Sequence, residues 1–440
     1  MEYPRILIVV MGRINAADNA NNGLLLRNLF GQFPRQNLAQ IYSGGDNGDE
    51  GFFGRYYQLK PQDRKLGRLF FRLKSMAMEG NAQINIPASS EKKKFSFSQL
   101  IRRWGKKLLM DSGLFEIIFR PRLSQEMILF IKDFEPDIIF SQGYNLGFAL
   151  LPLMITQKLD IPIVYYPTDD WSKHRKKDDL STISYLTYFA RQYAAKKLVN
   201  KTKICIAFNR FMQEEYLLRY KKKFLILMQG DESRRFDKSP INKLCESDCY
   251  WIVATGDFDR HRIPLLYDLD STCKTLNGKG LKVKATVFPV NYDSLPPALF
   301  TEFDYISFLA SPDHHELAGI LHSADVLFLL ERFDETSSQI RMSISSKAHL
   351  FMHSGRPIIV YSHPITGIAR YALEEKWAEV IDRPDAQLLA DVLEKIFTDK
   401  DKQDSLISSA RKIALKNHDL PSIQKTFYAM IQSIVHKSNT

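Results

Sequence analysis

The chain has 440 residues, of which 45% are apolar and 25% charged, with a net charge of +11. That composition excludes an intrinsically disordered chain, and the length exceeds what one ordinary core organises, so two domains of comparable size are expected. Four cysteines make no disulfide framework at this size; Cys245 and Cys249 lack the second pair or histidines of a zinc site, and all four read as free thiols.

The positive charge is unevenly placed. Between Arg55 and Lys107 there are fourteen Lys/Arg against three Asp/Glu, a surplus equal to that of the whole chain. Smaller basic clusters follow at 173–177 and 219–223, while the second half is nearly balanced. Such asymmetry points to an anionic surface or polymer met by one domain only.

In chain order, Ile6–Val10 is a compact apolar run ended by Met11-Gly12, the form of a first parallel strand with its glycine turn. Leu24–Phe30 carries helical spacing. Residues 56–119 break the pattern with basic and apolar residues interleaved, as in 68–74, 92–97 and 101–109. This chemistry suits short amphipathic helices lying on an anionic membrane; it also suits a solvated face packed on its own domain. No nucleic-acid motif accompanies the charge, so nucleic acid is not an expected partner. Alternation resumes with strands expected at Ile138–Phe140, Ile163–Tyr166, Ile204–Ala207 and Leu225–Leu227. Helices are expected from Gly143 to Lys158 and, capped by Asn209, through Tyr220.

A polar, turn-rich stretch from Gln229 to Cys249 reads as the inter-domain connection. Beyond it, strands are expected at Trp251–Ala254, Val283–Phe288, Val326–Leu330, Pro357–Val360 and Ala378–Ile381. Helices are expected at Asp313–His322 and Asp385–Phe397, with a last one from Pro421 to His436. His314-His315 reads as a helix entry and not as a metal pair. The pattern predicts an α/β protein of two doubly wound domains facing across a cleft, with ligands beyond the carboxyl ends of the strands. The expected boundaries are 1–235, carrying the basic insert, then 236–420, then a closing helix at 421–440 that packs back on the first domain.

Met1–Arg5 lacks a basic n-region and the apolar run after it ends at Val10, so no signal peptide is expected. The longest uncharged apolar stretch, Leu146–Ile155, is short for a bilayer span and contains Pro152. The expectation is a cytoplasmic protein that can rest peripherally on the inner face of a membrane.

Ser345-Ser346-Lys347 opens a segment of helical period that ends at Gly355, before the β-branched run Pro357–Val360. A polar turn with free N–H groups and one fixed cation suits a diphosphate. The same spacing also occurs in an ordinary helix-to-strand connection.

Taken together, these residues resemble the GT-B glycosyltransferases of the large bacterial family-four, or group 1, type. The likeness lies in Met11-Gly12 with Asn21-Asn22-Gly23, Glu135–Phe140, Phe208-Asn209 with Met212 and Tyr216, and Gly230-Asp231. It continues in Gly256–Arg260, His315–Val326, Ser346–Pro357 and Asn417-His418-Asp419. It covers nearly the whole chain. One departure stands out: Leu350 and Met342 occupy positions where the family commonly carries glutamates, the first of which holds the donor ribose.

The resemblance implies a retaining transferase that moves a sugar from a nucleotide sugar to a glycan or lipid-linked acceptor, without a metal or other cofactor. It implies that Arg260 and Lys347 clamp the donor diphosphate while Ser345 and Ser346 donate hydrogen bonds, with Gly256 in the donor loop. Glu331 then binds ribose or sugar, unless it pairs with Arg332 or Arg341. Gly12 lets backbone approach the donor, or is simply the turn after the first strand, and Asn15 reaches a hydroxyl. Asp169, in the group with Asp170 and His174, orients or deprotonates the acceptor hydroxyl, or else caps the next helix. Two alternatives stay open: a nucleotide-sugar epimerase of the same fold, and a catalytically degenerate GT-B partner subunit.

Overall fold

The computed structural model describes residues 3–16, 21–44, 50–67, 114–173, 182–236 and 248–438. The basic motifs at 68–74, 92–97 and 101–109, together with His174 and Cys245, lie outside the described residues.

The chain forms two compact units. Unit 1 contains a seven-stranded parallel sheet: β1 (Ile6–Val9), β2 (Leu38–Tyr42), β3 (Arg55–Gln58), β4 (Ile138–Ser141), β5 (Ile163–Tyr165), β6 (Ile204–Ala207) and β7 (Leu225–Ile226). The spatial order is β3-β2-β1-β4-β5-β6-β7. β1 is buried throughout and paired on both sides, Ile6 facing Leu38 and Ile138. Its uninterrupted Ile-Leu-Ile-Val sequence is what a strand covered on both faces requires.

Unit 2 takes α1 (Asn21–Phe30) together with Leu227–Phe427. Its six parallel strands are β8 (Tyr250–Gly256), β9 (Val283–Pro289), β10 (Ile306–Phe308), β11 (Val326–Leu330), β12 (Ile358–Tyr361) and β13 (Glu379–Ile381), in the order β10-β9-β8-β11-β12-β13. Ile252 of β8 faces Ala285 on one side and Val326 on the other. In each unit the order reverses beside the first strand, between β1 and β4 and between β8 and β11, and such switch points open crevices at the strands' carboxyl ends. Strands β2, β3 and β10 were not anticipated from the sequence.

The helices follow from capping and apolar spacing. In unit 1 they are α2 (Leu114–Ile118), α3 (Gln125–Phe134), α4 (Leu146–Leu159), α5 (Thr182–Lys201) and α6 (Arg210–Tyr220). Asn145 and Asn209 start α4 and α6 by accepting the N–H groups of Phe148 and Met212, each at 2.9 Å. Pro152 sits inside α4, which still runs to Leu159 and stops where Asp160 turns left-handed. No helix among the described residues is long and apolar enough to cross a membrane.

Unit 2 adds α7 (Pro264–Gly278), α8 (His314–Ser323), α9 (Ala348–His353), α10 (Gly367–Glu375), α11 (Ala386–Thr398) and α12 (Lys400–Asn417). Leu265, Leu266, Leu269, Cys273 and Leu276 of α7 recur at helical spacing and pack into one core with Leu389, Leu393 and Ile396 of α11. The last helix, α13 (Leu420–Ser438), contributes to both units. Within unit 2, Phe427 meets Phe30 edge-on at 5.3 Å and Gln424 donates to the Asn28 carbonyl at 2.6 Å. Within unit 1, Tyr428 packs on Tyr3 and Phe33 at 5.0 and 5.8 Å between ring centres.

Asn417-His418-Asp419, ahead of α13, is a buried polar joint. Asn417 donates to the Tyr371 hydroxyl at 2.9 Å, and that hydroxyl lies 3.0 Å from His418 Nε2. His418 Nδ1 lies 2.6 Å from the Gln229 carbonyl. A neutral imidazole satisfies this chain, donating from Nδ1 and accepting at Nε2. Burial pushes the His418 pKa down to about 4, and burial also lowers that of His353.

A depressed pKa means the unfolded chain binds the proton first. Stability is therefore full above the ordinary histidine range near 6.5 and is lost as pH falls toward 4. The expected loss attributable to His418 is about 3 kcal/mol by pH 4. Urea midpoints measured from pH 7 to pH 4 check this: His418→Gln should flatten the slope, and equal slopes in wild type and variant would refute it.

Candidate functional site

The residues singled out in unit 2 gather at the carboxyl ends of β8 and β11, on either side of the switch point. β8 ends at Gly256, whose φ of +151° favours glycine. A Cβ there would lie 3.1 Å from Cε and 3.2 Å from Nζ of Lys347. The glycine therefore supplies the backbone turn and also the space in which the lysine side chain lies.

Lys347 enters from the turn before α9. The Ala348 N–H bonds to the Ser345 carbonyl at 3.0 Å, and the Ser345 hydroxyl accepts from the Lys347 N–H at 3.4 Å. Ser345 and Ser346 are half-buried in this turn. Among the described residues the Lys347 ammonium has no hydrogen bond or salt bridge. Burial holds its pKa below the ordinary lysine value; the neighbouring Arg262 charge lowers it further, while Glu331 and Asp257 oppose both.

The loop after β8 supplies that second cation. Asp259 Oδ1 accepts the N–H groups of His261 and Arg262 at 3.0 and 3.1 Å, folding the loop back before α7. Arg262 Nη2 then reaches both oxygens of Glu331 at 2.7 and 2.8 Å, and Nη1 donates to the Asp257 carbonyl at 2.7 Å. Arg332 stands 3.5 Å from Asp259, and His261 pairs with Asp334. The loops following β8 and β11 are thus stitched together, which orders the cations before any ligand arrives.

Arg260, expected to present its charge to the donor, is exposed, with Nε 3.2 Å from His261 Nε2. The guanidinium beside Lys347 is that of Arg262. Glu331 lies at the site but spends its carboxylate on Arg262, which was neither of the arginines proposed for it. Arg262 was missed because Arg260 and Arg262 are equivalent on composition; only the Asp259 turn decides which faces inward. Met342 and Leu350 are buried apolar side chains.

Gly12, Asn15 and Asp169 belong to unit 1. Gly12 follows β1, with nothing within 4 Å of the position a Cβ would take, and its carbonyl accepts from Gln40 Nε2 at 2.6 Å. Asn15 is buried, its backbone bridged to Gly51. Asp169 follows β5; its Oδ1 accepts the Asp170 N–H at 2.7 Å. Asp170 itself is locked to Arg219 at 2.6 and 2.8 Å. Sequence reasoning missed Tyr144. Gly143 and Tyr144 both have positive φ, 82° and 66°, and turn the chain sharply after β4. The Tyr144 hydroxyl bonds to Thr168; burial first, and Asp169 in addition, push its pKa up to about 12. The sequence shows a Gly-Tyr-Asn turn at a strand end but not the positive φ that buries the tyrosine.

No family model and no curated protein sequence matches the chain. Solved structures do. α,α-Trehalose 6-phosphate synthase from Burkholderia multivorans superposes with a TM-score of 0.61 at 11% identity, over 100% of this chain and 98% of that one. Sucrose-phosphate synthase from Thermosynechococcus elongatus gives 0.57 at 12%, over 98% and 99%. Anabaena HepE, in complex with UDP-glucose, gives 0.56 at 13%, over 98% and 100%. Identity this low speaks for architecture alone, and it spans nearly the full length of each chain: the protein has the GT-B fold.

Proposed function

We propose that the protein is a nucleotide-sugar-dependent glycosyltransferase acting on a glycan or lipid-linked acceptor in cell-surface polysaccharide or glycolipid synthesis. The observation that carries this reading is the Lys347 ammonium lying over Gly256, without a hydrogen-bond or salt-bridge partner among the described residues, with Arg262 held beside it by Glu331. Two cations at a switch point, one of them without a salt-bridge partner among the described residues, suit the diphosphate of an activated sugar. The HepE structures with UDP and with UDP-glucose support the ligand class.

Glycosyl transfer breaks the bond between the anomeric carbon and the diphosphate oxygen, so negative charge grows on the leaving group as the sugar becomes oxocarbenium-like. Lys347 and Arg262 meet that charge, and Glu331 keeps Arg262 in position. Ser345 and Ser346 offer hydroxyls in the same turn, and Gly256 leaves room for the Lys347 side chain to lie at the strand end. In a retaining reaction the departing phosphate itself accepts the acceptor's proton. Asp169, supported by its neighbour Tyr144, then serves the acceptor hydroxyl. The basic insert at 56–119 brings the protein to an anionic membrane at the cytoplasmic face.

The buried Leu350 and Met342 favour one rival reading, a subunit that binds without turning over. An epimerase would need carboxylates at the sugar as acid and base, and Glu331 is committed to Arg262. Release of free nucleotide across a panel of UDP-, GDP- and ADP-sugars decides among these; no release from any donor would leave the binding subunit standing.

With the preferred donor, Lys347→Ala should lower turnover about 100- to 1,000-fold, the scale of losing one transition-state donor. Its thermal midpoint should stay near wild type. Unchanged turnover would remove Lys347 from the site. Arg262→Ala should fall comparably and Glu331→Gln by roughly tenfold, since the arginine remains but loses its clamp. Arg260→Ala should stay within about twofold of wild type. A larger loss at Arg260 than at Arg262 would reverse their assignment.

A further inference from the structure

One face of unit 1 has no role in this chemistry. Helix α5 buries Thr187, Ala194, Ala195, Leu198 and Val199 against the unit. Its other side displays Leu186, Phe189 and Tyr193, which are 57%, 62% and 61% exposed. Their spacing of three and then four residues places them on one narrow stripe, about 10 Å long at 1.5 Å per residue. Three large apolar side chains in a row toward water are unusual for a surface helix, whose outer face is ordinarily polar.

The charge carried by α5 itself is of one sign. From Thr182 to Lys203 there is no aspartate or glutamate; Arg191 is paired with Glu116 of α2, which leaves Lys196, Lys197, Lys201 and Lys203 as the basic residues of the segment. Lys196 and Lys197 are exposed and prolong the apolar stripe by one further turn; the Lys197 ammonium lies 4.6 Å from the Tyr193 ring centre. Lys222 Nζ donates to the carbonyls of Val199 and Thr202 at 2.7 and 2.5 Å. That anchor holds the exposed Lys221 and Lys223 beside the same end of α5. Glu214 and Glu215, the acids on α6, are engaged by Arg210 and Arg219.

We infer that the outward face of α5 is a membrane-contact surface: Leu186, Phe189 and Tyr193 enter the acyl boundary of an anionic bilayer while the lysines at its C-terminal end meet lipid phosphates. Charge complementarity selects this occupant. A second protein would bury the apolar stripe equally well, but it would not by itself explain an acid-free segment ending in clustered lysines. Tyrosine suits the headgroup level, with its ring in the apolar zone and its hydroxyl in water. The inference deepens the lipid-linked side of the proposed function and rests on that reading for the acceptor's location. It adds a surface of described residues, joined to the end of the 56–119 insert through the Arg191–Glu116 pair.

The test is flotation of the full chain with vesicles of phosphatidylethanolamine and phosphatidylglycerol, beside vesicles of phosphatidylcholine alone. Wild type should bind the anionic vesicles and be released as salt rises. The triple variant Leu186→Ser, Phe189→Ser, Tyr193→Ser should bind them about tenfold or more weakly, from lost apolar insertion. Lys196→Glu with Lys197→Glu should weaken binding at low salt. All substitutions are at the surface, and donor hydrolysis in solution should match wild type in each variant. Unaltered vesicle binding by the triple variant would overturn the inference, as would self-association that the triple variant abolishes while wild type ignores vesicles. Failure of donor hydrolysis in the wild type would count instead against the proposed function.

Discussion

A half-buried lysine, with no salt-bridge partner among the described residues, is the constraint around which the donor-side loops of unit 2 are arranged. Removing a lysine from water costs free energy unless an opposite charge or hydrogen bonds replace the solvent. Of the carboxylates that act on it, Glu331 acts most strongly, and both its oxygens are given to Arg262. Burial lowers the Lys347 pKa, and the second cation beside it lowers it further. An arrangement that is unfavourable for the empty protein becomes favourable once an anion with several oxygens sits across both groups. The fold supplies the means: a glycine that makes space, two strand ends that converge, and loops joined by Arg262–Glu331, Arg332–Asp259 and His261–Asp334.

The architecture was largely legible because parallel strands buried on both faces leave continuous apolar runs. β1, β4, β6 and β11 are such runs, and their ends fall within a residue of where the pattern places them. Strands that escaped notice break the rule for local reasons. β2 contains Gln40, buried because its amide serves the Gly12 carbonyl and the Ile14 N–H. β3, Arg-Tyr-Tyr-Gln, is an edge strand half open to water, and β10 is an edge strand of three residues. Edges need no unbroken apolar pattern, so periodicity does not find them.

The site was legible to a lesser degree. Gly256 and Lys347 were singled out by punctuation and charge, and they lie together. Arg260 and Arg262 sit two residues apart in one polar loop, and the choice between them depends on a turn fixed by Asp259, which sequence spacing does not encode. Glu331 was noticed at a strand end, but its partner comes from a loop sixty-nine residues earlier. Tyr144 was hidden by an unusual backbone, since a tyrosine at positive φ after a glycine is a tertiary outcome. The shared lesson is that strand ends announce themselves, while loop side chains are aimed by hydrogen bonds formed only in the folded protein.

The proposed donor site depends on the electrostatic state of the Lys347 side chain, and that state is directly measurable. With lysine Cε carbons labelled, an NMR titration of wild type, assigned through Lys347→Arg, follows the ammonium with and without a nucleoside diphosphate. The account predicts that Lys347 titrates below the ordinary lysine range in the free protein and moves upward when the diphosphate is bound. A Lys347 resonance that titrates like a solvent-exposed lysine and ignores the nucleotide would contradict it.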